Sequence, residues 1–518
     1  MTRLLRTALA ILVVLALWEA AARAGVLGGR VVPAPSGILF DWWTQRADYA
    51  LHIAATAKAA ALGFLIGNGV AILCAVLFIL APSIERLSRG VTITLFAVPA
   101  ITIGQVLVVA YDGIVPQVAL SAICVYFPTM VATLIGLREI DPRASDVVRV
   151  YGGDSLCILR YVRLRAALPG LLAGLKVAAP AALLGAILAE FGSGSRWGLG
   201  TFLLGSLGQA NAARLWGIGL SATAVAALGY AIFALGARRV LGATLSVTLA
   251  ANSAPDRLGS YRLGRPGQRV LMAIGALALP FVVWWAAPRI LGLNPIIARD
   301  PIDTFHYLAL DNGAATARAA LLSALSSTLP AAGLGLLLGL AAAFLLASLS
   351  VLRPELARLL LPPSLVLQTM PLVALTPMIV LIFGRDLAAM LAVTITVVFF
   401  PAYVTLAQGF SLTPPAALDV VRCYGDRPVK SLLLVSVPFS LPYVFAAARL
   451  VAPRALLGAM IAEFLATGTG LGQLLNASRG QLDYGMIWAT AFASVVVAIL
   501  AYQAVGLVER LATSGRES

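Results

Sequence analysis

Apolar runs of about twenty residues recur along the whole of this 518-residue chain. An α-helix of that length is enough to span the hydrocarbon core of a bilayer. The first run ends at Trp18, and the others cover residues 54–81, 91–110, 114–137, 170–191, 215–235, 270–287, 322–349, 359–383, 387–410, 443–464 and 484–507. The sequence therefore predicts an all-α polytopic membrane protein with about 12 transmembrane helices.

Composition supports this prediction and excludes an ordinary soluble domain. Hydrophobic residues make up 60% of the chain and charged residues only 11%, whereas about a quarter of a soluble domain is charged. The net charge of +15 would suggest a nucleic-acid partner in a soluble protein. Here the arginines collect in particular loops, which is the pattern of the positive-inside rule, so no nucleic-acid partner is expected.

One polar stretch between apolar runs occurs twice, 273 positions apart and without a gap. Residues of the first copy that recur in the second are Asp146, Val147, Val148, Arg149, Tyr151, Gly152, Leu168 and Pro169. Their counterparts are Asp419, Val420, Val421, Arg422, Tyr424, Gly425, Leu441 and Pro442. A polar stretch between two membrane spans must lie outside the lipid.

Each copy carries signals for a short helix. Asp141 before Pro142 reads as an N-cap followed by proline at the first helical position, and Thr413 before Pro414 reads the same way. Gly152 and Gly425 stand where a helix ends in a left-handed residue. We therefore expect helices over 142–151 and 414–424.

Other matches extend the repeat beyond the polar stretches. Phe127-Pro128 recurs at Phe400-Pro401, and the segment 54–58 resembles 314–318. With six runs in each half, the halves should be parallel and related about an axis along the membrane normal. The predicted domains are residues 1–241 and 268–518, joined by a cytoplasmic linker, 242–267.

Arginine placement predicts the orientation. The charged loops fall on one side of the membrane if both termini and both polar helices are cytoplasmic. The N-terminal run could also be a signal peptide. We favour a retained helix, because the second half opens with a similar run at 270–287.

The chain carries no signature of its own energy source. No lysine follows a glycine, so there is no P-loop, and the sequence lacks a His-Glu-x-x-His zinc motif. We therefore expect no enzyme activity and no cofactor bound by this chain. Energy must come from a partner or from an ion gradient, so the two competing classes are an ATP-driven permease and a 12-helix secondary transporter of the major-facilitator type.

The repeated polar stretch resembles the "EAA" loop of ABC-importer permeases, the binding-protein-dependent inner-membrane components. Asp-Val-Val replaces Glu-Ala-Ala at Asp146 and Asp419, whereas the glycines fall where that family has one. The family's later proline is Pro438 in the second copy and Arg165 in the first, so the first loop diverges more. The amino-acid sequences of both copies are most similar to those of the nitrate, sulfonate and taurine branch of this family.

That resemblance implies partners and a location. In such importers the loop helix docks on a dimer of ATPase subunits that bind ATP and magnesium, and an extracytoplasmic solute-binding protein delivers the substrate. It implies a multi-pass protein of the bacterial inner membrane, surrounded by lipid, in which one chain supplies both permease domains. The substrate would be a small solute, with an anion such as nitrate or a sulfonate suggested by the branch.

Four residues are candidates for the translocation path or its gate. Glu190 and Glu463 each lie near the outer face before a glycine-rich turn, as interfacial carboxylates or as parts of a gate or docking surface. Gln105 either lines a path or bonds a neighbouring helix. Arg454 lies about 18 Å into a span, where its counterpart is Ala181, and is either held by buried partners or faces the path.

Overall fold

The protein is described by a computed structural model that covers residues 2–25, 32–209, 211–241, 266–353, 355, 372–425, 428–465 and 467–513. Helices of the first half are α1 (Thr2–Arg23), α2 (Pro35–Thr44), α3 (Arg46–Leu80), α4 (Pro82–Ala97), α5 (Ala100–Ala110), α6 (Val115–Arg138), α7 (Pro142–Val150), α8 (Ser155–Ile158), α9 (Leu164–Glu190), α10 (Leu199–Gly208) and α11 (Ala212–Leu241). Helices of the second half are α12 (Pro266–Ile290), α13 (Pro301–Ala309), α14 (Ala314–Leu352), α15 (Leu372–Phe383), α16 (Leu387–Ser411), α17 (Pro415–Cys423), α18 (Pro428–Ser431), α19 (Val437–Leu465), α20 (Leu471–Gly480) and α21 (Tyr484–Thr513).

The prediction of an all-α polytopic membrane protein is confirmed. Within the described ranges, eight helices are long and apolar enough to cross a bilayer, and a ninth span arises if the bent pair α4–α5 is one. Several of these helices are longer than their apolar runs. α3 has 35 residues and α14 has 39. Most of the run at 359–383 falls outside the described residues, which begin again at α15.

The run at 91–110 is not the continuous helix that its apolarity suggested. It is broken between α4 and α5, whose axes differ by 94°. Pro99 stands at the break, where it has no backbone N–H to continue the helix. Val98 before it is extended, with φ −62° and ψ 126°, as a residue before proline prefers. The proline therefore explains the bend.

Each half is built on three packed helices, α3, α6 and α9 in the first and α14, α16 and α19 in the second. Glycines allow the close approach of the first two. A Cβ at Gly67 would lie 2.7 Å from Ala122 Cα, and one at Gly339 would lie 2.7 Å from Val398 Cγ1. Small residues at such contacts are the usual means of packing membrane helices tightly.

The glycine contacts correct one expectation about the repeat. Gly67 and Gly339 occupy equivalent places, so α3 matches α14 at an offset of 272 residues. Segment 54–58 therefore corresponds to 326–330, and its likeness to 314–318 is a coincidence of alanine-rich composition. Register along these helices is set by the contacts with α6 and α16.

The two halves also pack across one another. α12, which opens the second half, lies against α4 of the first, where Gly90 closely approaches the backbone of Ala276. The bent pair α4–α5 packs on α21, and α15 packs on α11 and α9. This exchange joins the two halves into one bundle.

Candidate functional site

The first polar loop forms the expected capped helix. Asp141 Oδ1 accepts a hydrogen bond from Arg143 N at 2.9 Å, and Pro142 takes the first helical position of α7. Gly152 follows with φ +79°, a conformation that costs glycine little. The side chain of Tyr151 is 87% exposed at the end of the helix.

The second loop repeats this arrangement with a different start. α17 begins at Pro415, one residue later than expected, and Thr413 Oγ1 has no hydrogen-bond partner among the described residues. Thr413 is therefore not the N-cap that the sequence suggested. Gly425 has φ +85°, and Tyr424 is 87% exposed, as Tyr151 is in the first loop.

Other predicted loop residues lie around these helices. Asp146 and Arg149 form an exposed ion pair one turn apart, with 3.2 Å between Oδ1 and Nη1. Asp419 is exposed on α17, whereas the side chain of Arg422 lies outside the described residues. Leu168 and Pro169 are half-buried early in α9, and Pro438 and Pro442 are exposed early in α19.

Both loops return to the membrane through a feature that the sequence did not reveal. Residues Leu159–Arg163 and Leu432–Ser436 form π-helical turns at the same place in each half. Such turns insert an extra residue into a helix and often mark functional sites. Before the first turn, Asp154 caps α8 by accepting from Cys157 N at 2.8 Å, and this bond holds the pKa of Asp154 below its usual value.

Glu190 and Glu463 are buried inside the protein, with exposed fractions of 3% and 0%. Each is held by a threonine and a glycine. Thr56 Oγ1 donates to Glu190 Oε1 at 2.6 Å, and Gly200 N donates to Oε2 at 2.6 Å. We call this arrangement the glutamate clasp of the first half.

The second half contains an equivalent glutamate clasp. Thr328 Oγ1 donates to Glu463 Oε1 at 2.8 Å, and Gly472 N donates to Oε2 at 2.9 Å. In both clasps the threonine oxygen also accepts a hydrogen bond from the backbone N–H of the leucine just before the clasp glycine. The distance is 2.8 Å from Leu199 N to Thr56 Oγ1 and 2.9 Å from Leu471 N to Thr328 Oγ1. The clasps therefore anchor the starts of α10 and α20 to the ends of α9 and α19.

Gln105 lies at a contact between the two halves. It is fully buried, and its Nε2 donates to the carbonyl oxygen of Phe191 at 2.9 Å. Arg479, on α20 of the second half, donates through Nη1 to Gln105 Oε1 at 3.1 Å and to Phe191 O at 3.2 Å. Sequence reasoning missed Arg479, although its one-sided charge, opposite Leu207, was a usable signal.

Two aromatic rings meet beside this contact. Phe191 and Phe464 are equivalent residues of the two halves, and their rings stack with centroids 6.2 Å apart. Equivalent residues can touch in this way only close to the axis that relates the halves. The guanidinium of Arg479 also lies 5.9 Å from the Phe464 ring centroid. These residues therefore close the bundle at its axis, near the end opposite the polar loops.

Arg454 lies mid-way along α19 and is partly accessible. It makes no hydrogen bond or ion pair with the part of the chain that the structure describes, so the described residues give no buried partner for it. Arg449, one turn earlier, behaves differently. It is buried, and its Nη2 lies 2.9 Å from Glu509 Oε2 of α21.

Comparison with known proteins decides the family. The sequence matches the profile of the binding-protein-dependent transport system inner membrane component over residues 67–242 and again over 335–513, more than half of the chain. The chain belongs to this family. Each match falls in one half of the fold and contains one polar loop and the glutamate of one clasp.

Individual relatives are ABC permeases for diverse solutes. A formylaminopyrimidine transport permease protein, ThiX, of Halalkalibacterium halodurans is 26% identical over 44% of this chain and 90% of its own length. A putative aliphatic sulfonates transport permease protein, SsuC, of Escherichia coli is 31% identical over 34% of this chain and 68% of its own. A probable ABC transporter permease of Haemophilus influenzae is 28% identical over 33% and 69%.

Each of these relatives aligns with less than half of this chain. Together with the doubled family match, this makes the protein an importer permease with two family domains in one chain. A transporter of the major-facilitator type is excluded as the alternative. Members of this family are inner-membrane transport components, and the protein is accordingly a multi-pass membrane protein that serves transport.

Proposed function

We propose that this chain supplies both membrane-spanning domains of an ATP-driven importer, with α7 and α17 as its contacts with a dimer of ATPase subunits. ATP and magnesium are bound by those subunits. Both termini and the two polar loops face the cytoplasm, and a solute-binding protein delivers substrate at the opposite end, beside α10 and α20.

The observation that carries this proposal is the matched pair of exposed loops. Each presents an apolar residue on its helix and a tyrosine after it, Val147 with Tyr151 and Val420 with Tyr424. These side chains lie outside the membrane spans, where exposed apolar groups usually mark a protein interface. Two equivalent surfaces on one chain suit a partner that is itself a dimer.

Replacing Gly152 or Gly425 with valine tests the role of the loops. A Cβ at either glycine has no atom within 4 Å, so the substitution acts only through the left-handed backbone, which a β-branched residue resists. We expect substrate-stimulated ATPase activity of the assembled transporter to fall several-fold, with normal insertion of the chain.

Gly113 provides a matched control. It has φ +70° and equally open surroundings, but lies between α5 and α6 at the other end of the bundle. Gly113→Val should strain the backbone to the same degree and leave the ATPase response intact. Normal stimulation in both loop variants, or an equal loss in Gly113→Val, would contradict the proposal.

We further propose that Arg454 faces the translocation path. A charge at this depth is costly unless it meets water, a partner or the substrate, and no partner is found among the described residues. Arg454→Ala should lower uptake while Arg454→Lys retains part of it, at equal amounts of protein in the membrane. Wild-type uptake by Arg454→Ala would remove the role in the path, and loss of protein would indicate a structural one.

A further inference from the structure

Arg479 closes the bundle at its axis, and no acidic residue in the described ranges is its partner. Its described acceptors are the side-chain oxygen of Gln105, the carbonyl oxygen of Phe191 and the side-chain oxygen of Asn476, at 3.1, 3.2 and 3.3 Å. All three are neutral. None of the acceptors of Arg479 within the described residues is a carboxylate. Among these residues, its charge is therefore stabilised by the dipoles of neutral groups and by the Phe464 ring.

The position of Phe191 explains how this charge is tolerated. Phe191 is the C-cap of α9, where the helix dipole places partial negative charge. Its carbonyl accepts from both Gln105 Nε2 and Arg479 Nη1. Arg479 comes from the second half, whereas Gln105 and Phe191 belong to the first. These three residues, which we call the arginine latch, therefore hold the two halves together.

The latch belongs to one half only. The equivalent of Arg479 is Leu207, and the equivalent of Asn476 is Leu204, at the offset of 272 that joins the two clasps. α10 is thus apolar where α20 presents Asn476 and Arg479 on one face. The glutamate clasp fixes the start of α20, so the arginine is held at this place by the fold.

We propose that Arg479 is an anion-binding residue, and that a carboxylate or sulfonate group of the substrate opens the latch by replacing its neutral acceptors. Hydrogen bonds from guanidinium to an oxyanion are about twice as strong as those to neutral oxygens, and the planar fork of arginine matches two such oxygens at once. Binding an oxyanion would release Gln105 and Phe191 and separate the halves. This inference rests on the proposed transport function and narrows its substrate to an anion.

Charged thiol reagents test the anion site without turnover. The chain, with its four native cysteines replaced by alanine, receives Asn476→Cys beside the guanidinium. In right-side-out vesicles we compare the reaction rates of an anionic sulfonatoethyl and a cationic trimethylammonioethyl methanethiosulfonate. The anionic reagent should react about tenfold faster, as expected for a charge that attracts ligands into a cleft, and Arg479→Gln should abolish this preference.

A second cysteine serves as the control. Asn312→Cys lies in the exposed loop between α13 and α14, at the same end of the bundle, because Tyr307 of α13 bonds Asp483 just before α21. Its ratio of anionic to cationic rates should not respond to Arg479→Gln. If Arg479→Gln also leaves the ratio unchanged in the Asn476→Cys chain, the proposal is overturned.

The salt dependence of these rates provides a test that does not require the Arg479→Gln variant to fold. Raising the ionic strength from about 0.05 to about 0.5 M shortens the screening length to a few ångströms, so the anionic preference of the Asn476→Cys chain should decline while Arg479 is retained. A preference that is absent at low salt would also overturn the proposal. Neither result bears on the ATPase contacts, because these reaction rates need no ATPase or binding protein. A neutral or cationic substrate would refute the proposed anion site while leaving the permease function intact.

Discussion

The glutamate clasps show how single residues fix the same turn in both halves. Glu190 and Glu463 are buried, and their oxygens are satisfied by a threonine hydroxyl and a backbone N–H. A side chain at Gly198 or Gly470 would overlap the glutamate, which explains the glycines of these turns. The clasps position α10 and α20, and therefore also Arg479.

Thr56→Val and Thr328→Val should each destabilise the protein. Valine keeps the shape but leaves a carboxylate oxygen and the N–H of Leu199 or Leu471 unpaired in a buried site. The expected loss is about 1–3 kcal/mol of the free energy of unfolding, seen as a lower melting temperature of the purified chain in detergent. Thr405→Val is the control, since this buried hydroxyl donates to the carbonyl of Pro401 in its own helix and to nothing else among the described residues. Melting of all three variants at the wild-type temperature would refute the clasps.

Sequence reasoning identified some of these residues but not their partners. It named Glu190, Glu463, Gln105 and Arg454 as candidates, because helical rise relates a residue's place in the sequence to its place along a helix. It could not see that Gln105 meets Arg479, which is 374 residues away in the chain. Such contacts depend on how the two halves cross, and no periodicity within one helix records that.

At the level of helices, the glycine contacts between α3 and α6 set both distance and register. Gly63 and Gly67 face α6, where an added Cβ would overlap Ser121 or Ala122, whereas Gly69 faces open space. The equivalent contacts of Gly335 and Gly339 with α16 repeat the pattern in the second half. One face of α3 is therefore fixed by backbone proximity.

Gly67→Ala should destabilise the chain by about 1–3 kcal/mol, because the methyl group overpacks a contact between two backbones. Gly69→Ala, two residues along the same helix, should leave the melting temperature unchanged or raise it, since alanine favours helix over glycine. Comparing the two melting curves separates packing from helix propensity. Equal effects of the two variants would show that the contact is not tight.

Helix signals in the sequence predicted the features that depend on neighbouring residues, but not those that depend on packing between helices. Asp141 with Pro142, and the glycines at 152 and 425, gave the loop helices nearly to the residue. The bend at Pro99 and the π-helical turns were missed. Proline permits a 94° bend but does not require one. A π turn depends on how the helix packs against neighbouring helices, which the local sequence does not record.

For the whole molecule, the repeat in the sequence predicted two equivalent halves, and the fold and the doubled family match confirm them. Composition and loop charge predicted a membrane protein because lipid imposes strict rules on exposed polar groups. The departures from equivalence are informative. Arg454 and Arg479 have no charged counterpart in the first half, so the two halves differ in charge at these positions.

The central claim, that both polar loops contact an ATPase dimer, is tested most directly by photo-crosslinking. A benzophenone amino acid replaces Tyr151 or Tyr424, or, as a control, Ile290, which is exposed at the end of α12 on the opposite side of the bundle. After irradiation of the assembled transporter, the account predicts an adduct with the ATPase subunit from each tyrosine position and none from Ile290. An adduct from Ile290 with none from either tyrosine would contradict it.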